Sequence, residues 1–102
     1  MFDIRKNVKY HFVGIGGIGM SALAQIIKSQ GHFVGGSDRR NDKNQTPEVF
    51  HKLESQGIKL YPQDGTGVDK ETDFVVISSA VEEDNSDLKI AARRNIQIIK
   101  RS

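Results

Sequence analysis

The chain has 102 residues, 36% of them hydrophobic and 27% charged, which fits a single globular domain and excludes a disordered or membrane-spanning chain. It contains no cysteine, which excludes disulfides and thiolate metal sites, and its first ten residues lack the apolar core of a signal peptide. The net charge of +2 and the aromatic content of 7% are not typical of a nucleic-acid-binding surface. We therefore expect a cytoplasmic domain with no nucleic-acid or membrane partner.

The first third of the chain predicts a strand, a helix and a second strand. An apolar run over residues 9–13 predicts the first strand, and the apolar positions that follow have helical spacing. Gly31 suits the left-handed position after a helix end, and residues 32–36 predict the second strand. The inward face of the helix is predicted to comprise Ala22, Leu23, Ile26 and Ile27.

The middle of the chain predicts a loop, a helix, a third strand and another loop. Residues 39–45 are polar and predict a loop, after which Thr46 is a candidate N-cap with Pro47 at the first helical position. Gly57 ends this helix, residues 58–61 predict the third strand, and residues 62–68 predict a loop because they contain Pro and two Gly. The buried stripe of the helix is predicted to comprise Val49, Phe50 and Leu53.

The last third predicts a buried strand, a helix and an edge strand. Residues 74–77 form a continuous apolar run, which is typical of a parallel strand covered on both faces. Residues 86–94 predict a helix with Leu88, Ala91 and Ala92 facing inward, and residues 96–99 predict the fifth strand. Alternating strands and helices predict an α/β fold: a Rossmann-like, doubly wound, mostly parallel five-stranded sheet of order 3-2-1-4-5 with helices on both faces.

Gly14, Gly16 and Gly19 form a G-x-G-x-x-G motif between the first predicted strand and the first predicted helix. This context favours a phosphate-binding loop. Gly14 would permit the sharp turn, Gly16 the approach of the main chain to a diphosphate, and Gly19 close packing of the helix on the strand. The N–H groups at the helix start would then bind the phosphates, with the helix dipole favouring their negative charge.

Asp38 follows the second predicted strand, where an acidic side chain accepts hydrogen bonds from a ribose diol in dinucleotide-binding domains. Arg39 and Arg40 would instead favour a 2′-phosphate, so the motif alone admits NAD, NADP or a uridine diphosphate sugar. Ser78 and Ser79 end the most apolar strand, at the edge where such sheets bind ligands. The three histidines show no metal-ligand spacing, and no catalytic triad or P-loop lysine is present. We therefore predict no catalytic residue and no metal site.

Three segments resemble the N-terminal domain of the Mur ligases of bacterial peptidoglycan synthesis. They are HFVGIGGIGMS at residues 11–21, GGSD at residues 35–38 and VVISSAVEEDNSDL at residues 75–88. Within that family the resemblance is to members that add L-alanine to UDP-N-acetylmuramate. The alternatives are a member that attaches recycled murein tripeptide to the same nucleotide, and an NAD(P)-binding domain of an oxidoreductase. A nucleotide-sensing regulator is a third class.

The resemblance implies that residues 1–102 are a Rossmann-like domain that binds the UDP part of UDP-N-acetylmuramate, without a nicotinamide cofactor. It also implies further ligase domains in the same chain, which would hold ATP and Mg²⁺, so that these residues alone would be inactive. Where family members often have a Gly-His pair after the third strand, this chain has Pro62, Gln63 and Asp64, which leaves no predicted base contact there. The residues that the resemblance assigns to the UDP-sugar are Gly14, Ile15, Gly16, Gly17, Ile18, Gly19, Ser37, Asp38, Ser78, Ser79, Ala80 and Val81.

Overall fold

The computed structural model describes residues 8–45, 47–78, 81 and 83–101. Five strands form one sheet of order β3-β2-β1-β4-β5, in which every neighbouring pair is parallel. This confirms the predicted fold class and strand order. The strands are β1 Lys9–Val13, β2 Phe33–Ser37, β3 Lys59–Tyr61, β4 Phe74–Ser78 and β5 Gln97–Arg101; the helices are α1 Ile18–Ser29, α2 Arg39–Asp42, α3 Pro47–Ser55 and α4 Ser86–Arg93.

The sheet separates two apolar clusters, one on each face. Phe12 and Val76 belong to the cluster covered by α1 and α3, whereas Val13 and Val75 belong to the cluster beside α4. Successive side chains of a strand point to opposite faces, so β1 and β4 contribute to both clusters. Because Val75 and Val76 are both buried, the prediction that this strand is covered on both faces is confirmed.

Two helix faces differ from their predictions. In α1, Ala22 and Ile26 are exposed, since the helix meets the sheet through Met20 and Ala24, with Leu23 and Ile27 only partly buried. In α4, Ala92 is exposed because Asp87 and Ala91, one helical turn apart, occupy the buried face. The apolar pattern of α4 could not show this, because one of its two buried residues is a carboxylate in the first turn.

Residues 39–45 are not a loop throughout, because Arg39–Asp42 form the short helix α2. The Asp38 side chain caps this helix by accepting a hydrogen bond from the Arg40 N–H, a local interaction that can start a helix in a polar segment.

The predicted N-cap Thr46 lies outside the described residues. Both predicted C-terminal glycines are confirmed, since Gly31 and Gly57 have φ of +95° and +85°.

Strand β5 begins one residue later and ends two residues later than predicted, and it forms an edge of the sheet with all five of its residues exposed. Within the described part of the chain, no helix is long and apolar enough to cross a membrane.

Candidate functional site

The glycine motif connects β1 to α1 at the carboxyl edge of the sheet, where the strand order changes direction between β1 and β4. Parallel α/β sheets bind ligands in the crevice at this point. Gly14 has a φ of +80°, and a Cβ there would meet no atom within 4 Å. The first glycine is therefore required by backbone conformation rather than by a crowded neighbour.

The backbone N–H groups of residues 14–17 all have acceptors within the protein. The N–H groups of Gly14 and Ile15 donate to the Ser37 carbonyl oxygen at 2.8 and 3.0 Å. The Gly16 N–H donates to Asp38 Oδ2 at 2.8 Å, and the Gly17 N–H to the Gly14 carbonyl oxygen at 3.1 Å. The buried Ile15 side chain also anchors the loop in the core. These four amides hold the loop on the end of β2 and are not free to bind a phosphate.

The next three backbone N–H groups, at the start of α1, differ from these because they have no acceptor among the described residues. Gly17 is the N-cap and supplies no side-chain hydrogen bond, and the first turn contains no acidic residue. The first backbone bond is donated by Ser21 to the Gly17 carbonyl oxygen at 2.8 Å. The amides of Ile18, Gly19 and Met20 therefore have no acceptor among the described residues, as expected of the first turn of a helix. Together with the helix dipole they can bind an anion.

Asp38 organises the loop and α2 from the end of β2. One carboxylate oxygen accepts the Gly16 N–H, and the other accepts from the backbone and Nε of Arg40 at 2.9 and 3.2 Å. Burial by itself would raise the pKa of the Asp38 carboxyl, but the hydrogen bonds from Arg40 and Gly16 outweigh it and hold that pKa below its ordinary value. Asp38 is thus ionised and bonded on both oxygens. Its contact with a ribose remains a prediction.

Gly16 and Gly19 have neighbours that the motif does not predict. A Cβ on Gly16 would lie 2.8 Å from both Asp38 Oδ2 and the ring of the buried Phe50, so this glycine makes room for protein groups. A Cβ on Gly19 would lie 2.5 to 2.8 Å from three atoms of the Arg101 guanidinium. The nearest neighbours of this position are therefore atoms at the end of a flexible side chain, and close packing of the helix on the strand at Gly19 stays a prediction.

Sequence reasoning missed a buried polar network centred on Asp87 of α4. Its Oδ2 accepts from His11 Nε2 at 2.9 Å and from the Ser37 hydroxyl at 2.6 Å, and its Oδ1 accepts from the Gly65 N–H at 2.8 Å. Burial would raise the pKa of this carboxyl, but the hydrogen bonds from His11, Ser37 and Gly65 outweigh it and lower the pKa. Asp87 thereby ties β1, β2 and the β3–β4 loop to α4.

The Ser37 side chain lies inside this network rather than on the surface. Its hydroxyl donates to Asp87 and accepts from Gln63 Nε2 at 3.1 Å, while the Gln63 N–H donates to Asp42 at 3.1 Å. Gln63 is thus held at the carboxyl ends of β2 and β3. The only sequence signal for the network was the Asn85 cap, whose side chain accepts from the N–H groups at the start of α4, including that of Asp87.

The remaining predicted residues lie along the same edge. Ser78 is the last residue of β4 and is half-buried. Val81 donates its N–H to the Ser78 carbonyl oxygen at 3.2 Å and packs on the cluster beside α4. Ser79 and Ala80 lie outside the described residues. Ile18, by contrast, presents a side chain that is 93% exposed at the start of α1.

A cavity of about 340 Å³ lies away from the glycine loop, with Phe33, Lys59 and Tyr61 among its lining residues. None of its lining residues belongs to the glycine motif, so the cavity and the helix start are separate features. In the described ranges no group of three or more His, Cys, Asp or Glu side chains could hold a metal ion. Anion binding at the start of α1 is accordingly the chemistry that this edge supports.

Residues 9–102 match the family described as "Mur ligase family, catalytic domain". The chain is 39% identical over 99% of its length to UDP-N-acetylmuramate--L-alanine ligase of Clostridium kluyveri, and 43% identical over 96% of its length to that of Aquifex aeolicus. It spans only 21% of the length of either relative.

Two solved structures share the fold. A UDP-N-acetylmuramate-alanine ligase from Thermotoga maritima superposes with a TM-score of 0.82 at 35% identity, covering 93% of this chain and 21% of that one. The UDP-N-acetylmuramate:L-alanyl-gamma-D-glutamyl-meso-diaminopimelate ligase from Neisseria meningitides superposes with a TM-score of 0.78 at 27% identity. This match covers 92% of this chain and 28% of that one. Since the family match extends over nearly all of the sequence, the resemblance found in the three segments is confirmed, and the chain belongs to the Mur ligase family.

Proposed function

We propose that this chain is the domain that binds the UDP part of UDP-N-acetylmuramate in an ATP-dependent ligase that adds L-alanine to that nucleotide during peptidoglycan synthesis. The observation that carries the proposal is the start of α1, where three N–H groups, which have no acceptor in the described part of the chain, lie at the carboxyl edge of a parallel sheet. The names of the relatives supply the identity of the nucleotide.

The chain's own residues would bind and orient the nucleotide. The diphosphate would accept hydrogen bonds from Ile18, Gly19 and Met20, while the amides of residues 14–17 keep the loop rigid through Ser37 and Asp38. The nucleoside would extend along the carboxyl edge toward β4 and the residues that follow it, including Ser78 and Val81. A rigid loop lowers the entropy lost on binding, since its amides already have their final positions.

The chemical step belongs to parts of the protein other than these residues. ATP, with its Mg²⁺, would supply the phosphoryl group that activates the substrate carboxylate. The described residues contain neither a candidate metal cluster nor a catalytic triad, so we assign them binding and orientation only. The remaining ligase domains in the same chain would be their partners.

The proposal is tested by calorimetric titration of the 102-residue chain with UDP, UDP-N-acetylmuramate and NAD. We expect saturable binding of both uridine nucleotides and weaker binding of NAD, because no nicotinamide site is proposed. Saturation by NAD without any response to UDP or UDP-N-acetylmuramate would contradict the proposal and favour an oxidoreductase domain.

A tripeptide ligase is the second candidate, because the Neisseria meningitides ligase shares the fold at 27% identity. The higher identity of 35% to the Thermotoga maritima structure favours the L-alanine ligase. Turnover by the full-length protein with L-alanine or with the tripeptide as acceptor distinguishes the two, and the proposal expects turnover with L-alanine.

A further inference from the structure

Arg101 is the last residue of the edge strand β5, and no sequence motif singled it out. It pairs in register with Ser78 at the end of β4. Ile99 pairs with Val76, which packs in the cluster beneath α1, so Arg101, two residues further on, points to the same side of the sheet as α1. The direction of the strand thus aims this long side chain at the start of α1.

The Arg101 guanidinium lies directly against the first turn of α1. Three of its atoms, Nη1, Cζ and Nη2, lie 2.5 to 2.8 Å from the position that a Cβ on Gly19 would occupy. Any side chain at position 19 would displace the guanidinium. Because Gly19, the third glycine of the motif, has no side chain, the guanidinium can lie directly against the N-terminus of α1.

This placement is electrostatically unfavourable in the absence of an anion. The N-terminus of a helix carries a partial positive charge, and a guanidinium is permanently charged. The first turn of α1 has no acidic residue and no side-chain cap. Among the described residues, the salt bridges involve Lys9, His11 and Arg40 and none involves Arg101. A negatively charged group bound between helix and guanidinium would relieve the repulsion.

We propose that Arg101 is the side-chain cation that binds the diphosphate of a nucleotide seated on the first turn of α1. The inference rests on the proposed function and extends it from backbone donors to a specific side chain. The planar guanidinium can donate two parallel hydrogen bonds to phosphate oxygens and adds a full positive charge, which backbone N–H groups do not carry. Arg101 would then clamp the diphosphate against the amides of Ile18 and Gly19 from the β5 side.

The test compares Arg101→Gln with Lys100→Gln in the 102-residue chain. Both substitutions remove one positive charge from the same exposed strand, but Lys100 points to the opposite face of the sheet. Binding of UDP and of uridine, which lacks the phosphates, is measured by calorimetry at low and moderate salt. Because charge-assisted phosphate contacts are strong, we expect Arg101→Gln to weaken UDP binding at least tenfold and to change uridine binding less than twofold.

The control Lys100→Gln should change the affinity for UDP or uridine less than about threefold. UDP binding by Arg101→Gln should depend less on salt concentration than UDP binding by the parent. Equal UDP affinity in the parent and Arg101→Gln would overturn this inference alone and leave the proposed function standing. An equal loss of uridine and UDP binding would also overturn it, since it would place Arg101 at the nucleoside. A parent chain that does not bind UDP would overturn the proposed function and this inference together.

Discussion

Two buried aspartates hold the carboxyl edge of the sheet together, Asp38 directly after β2 and Asp87 in α4. Asp38 binds the glycine loop and α2 through local partners, 22 residues away at most, and its Arg40 partner is 42% exposed. Asp87 is completely buried, and its partners His11, Ser37 and Gly65 are 76, 50 and 22 residues away. The comparison indicates that Asp38 shapes the binding loop, whereas Asp87 holds the strands on which that loop rests.

The largest effect should come from Asp87→Ala. It leaves the buried His11 ring and the Gly65 N–H without their acceptor, and each buried donor left unsatisfied costs about 1 to 3 kcal/mol. For a domain of this size, each kcal/mol lowers Tm by about 4 to 8 °C. Thermal and urea unfolding followed by circular dichroism measures the loss.

Asp84→Ala is the matched control, because Asp84 is an exposed aspartate just before the same helix. Its free energy of unfolding should lie within about 0.5 kcal/mol of the parent. Similar losses for the two variants would show that the Asp87 network contributes nothing specific to stability.

A smaller loss of stability should distinguish alanine substitutions at Gly16 and Gly19, the two motif glycines with close neighbours. Neither Gly16 nor Gly19 has a positive φ, so alanine differs from glycine at both positions only in its Cβ. Gly16→Ala pushes against Asp38 and the ring of Phe50 and should destabilise the fold by about 1 to 3 kcal/mol. Gly19→Ala meets the flexible Arg101 side chain first, so stability should stay within about 1 kcal/mol of the parent while UDP binding weakens.

Urea unfolding and UDP titration of both variants decide this prediction. If Gly19→Ala were the less stable of the two and bound UDP like the parent, Gly19 would serve helix packing, as the motif alone predicts. If Gly16→Ala were as stable as the parent, the loop and Asp38 would be able to move apart and accommodate a Cβ at no cost in stability, which would contradict the prediction.

How much the sequence could predict follows the same division between local and distant partners. The strands, the helices and the glycine loop were each predicted from one short segment, and the strand order from their alternation along the chain. Asp38 was singled out by its place after the second strand, but its contacts with Gly16 and Arg40 were not predicted. Asp87 was not predicted, because an acidic residue in the first turn of a helix is ordinarily exposed, and its burial depends on His11 and Ser37, which the sheet brings to it. Arg101 reaches Gly19 only through the pairing of β4 with β5. The inward positions of Ala22, Ile26 and Ala92 were predicted wrongly, because the buried faces of α1 and α4 each include a polar residue, Ser21 and Asp87, that a pattern of apolar residues does not show.

The smallest effect is a pH dependence of stability. The pKa values of Asp87 and Asp38 are lowered in the folded chain, so these carboxylates stabilise it above the ordinary aspartate pKa of about 3.9. That contribution is lost as the pH falls through the lower folded values, so the free energy of unfolding should decrease below about pH 4. Urea titrations at several pH values between 7 and 3 should show a flatter profile for Asp87→Asn than for the parent. Identical slopes would mean that Asp87 is not held ionised by its partners.

The central claim is that the first turn of α1, and not the self-bonded loop before it, is the phosphate site. Titration of the ¹⁵N-labelled chain with UDP, followed amide by amide by NMR, tests it most directly. We expect saturable shifts that are largest for the amides of Ile18, Gly19 and Met20, with Phe33 and Lys59 at the separate cavity unchanged. Saturation by UDP with the largest shifts at the amides of residues 14–17, or at Phe33 and Lys59, and none at Ile18 to Met20 would contradict the account.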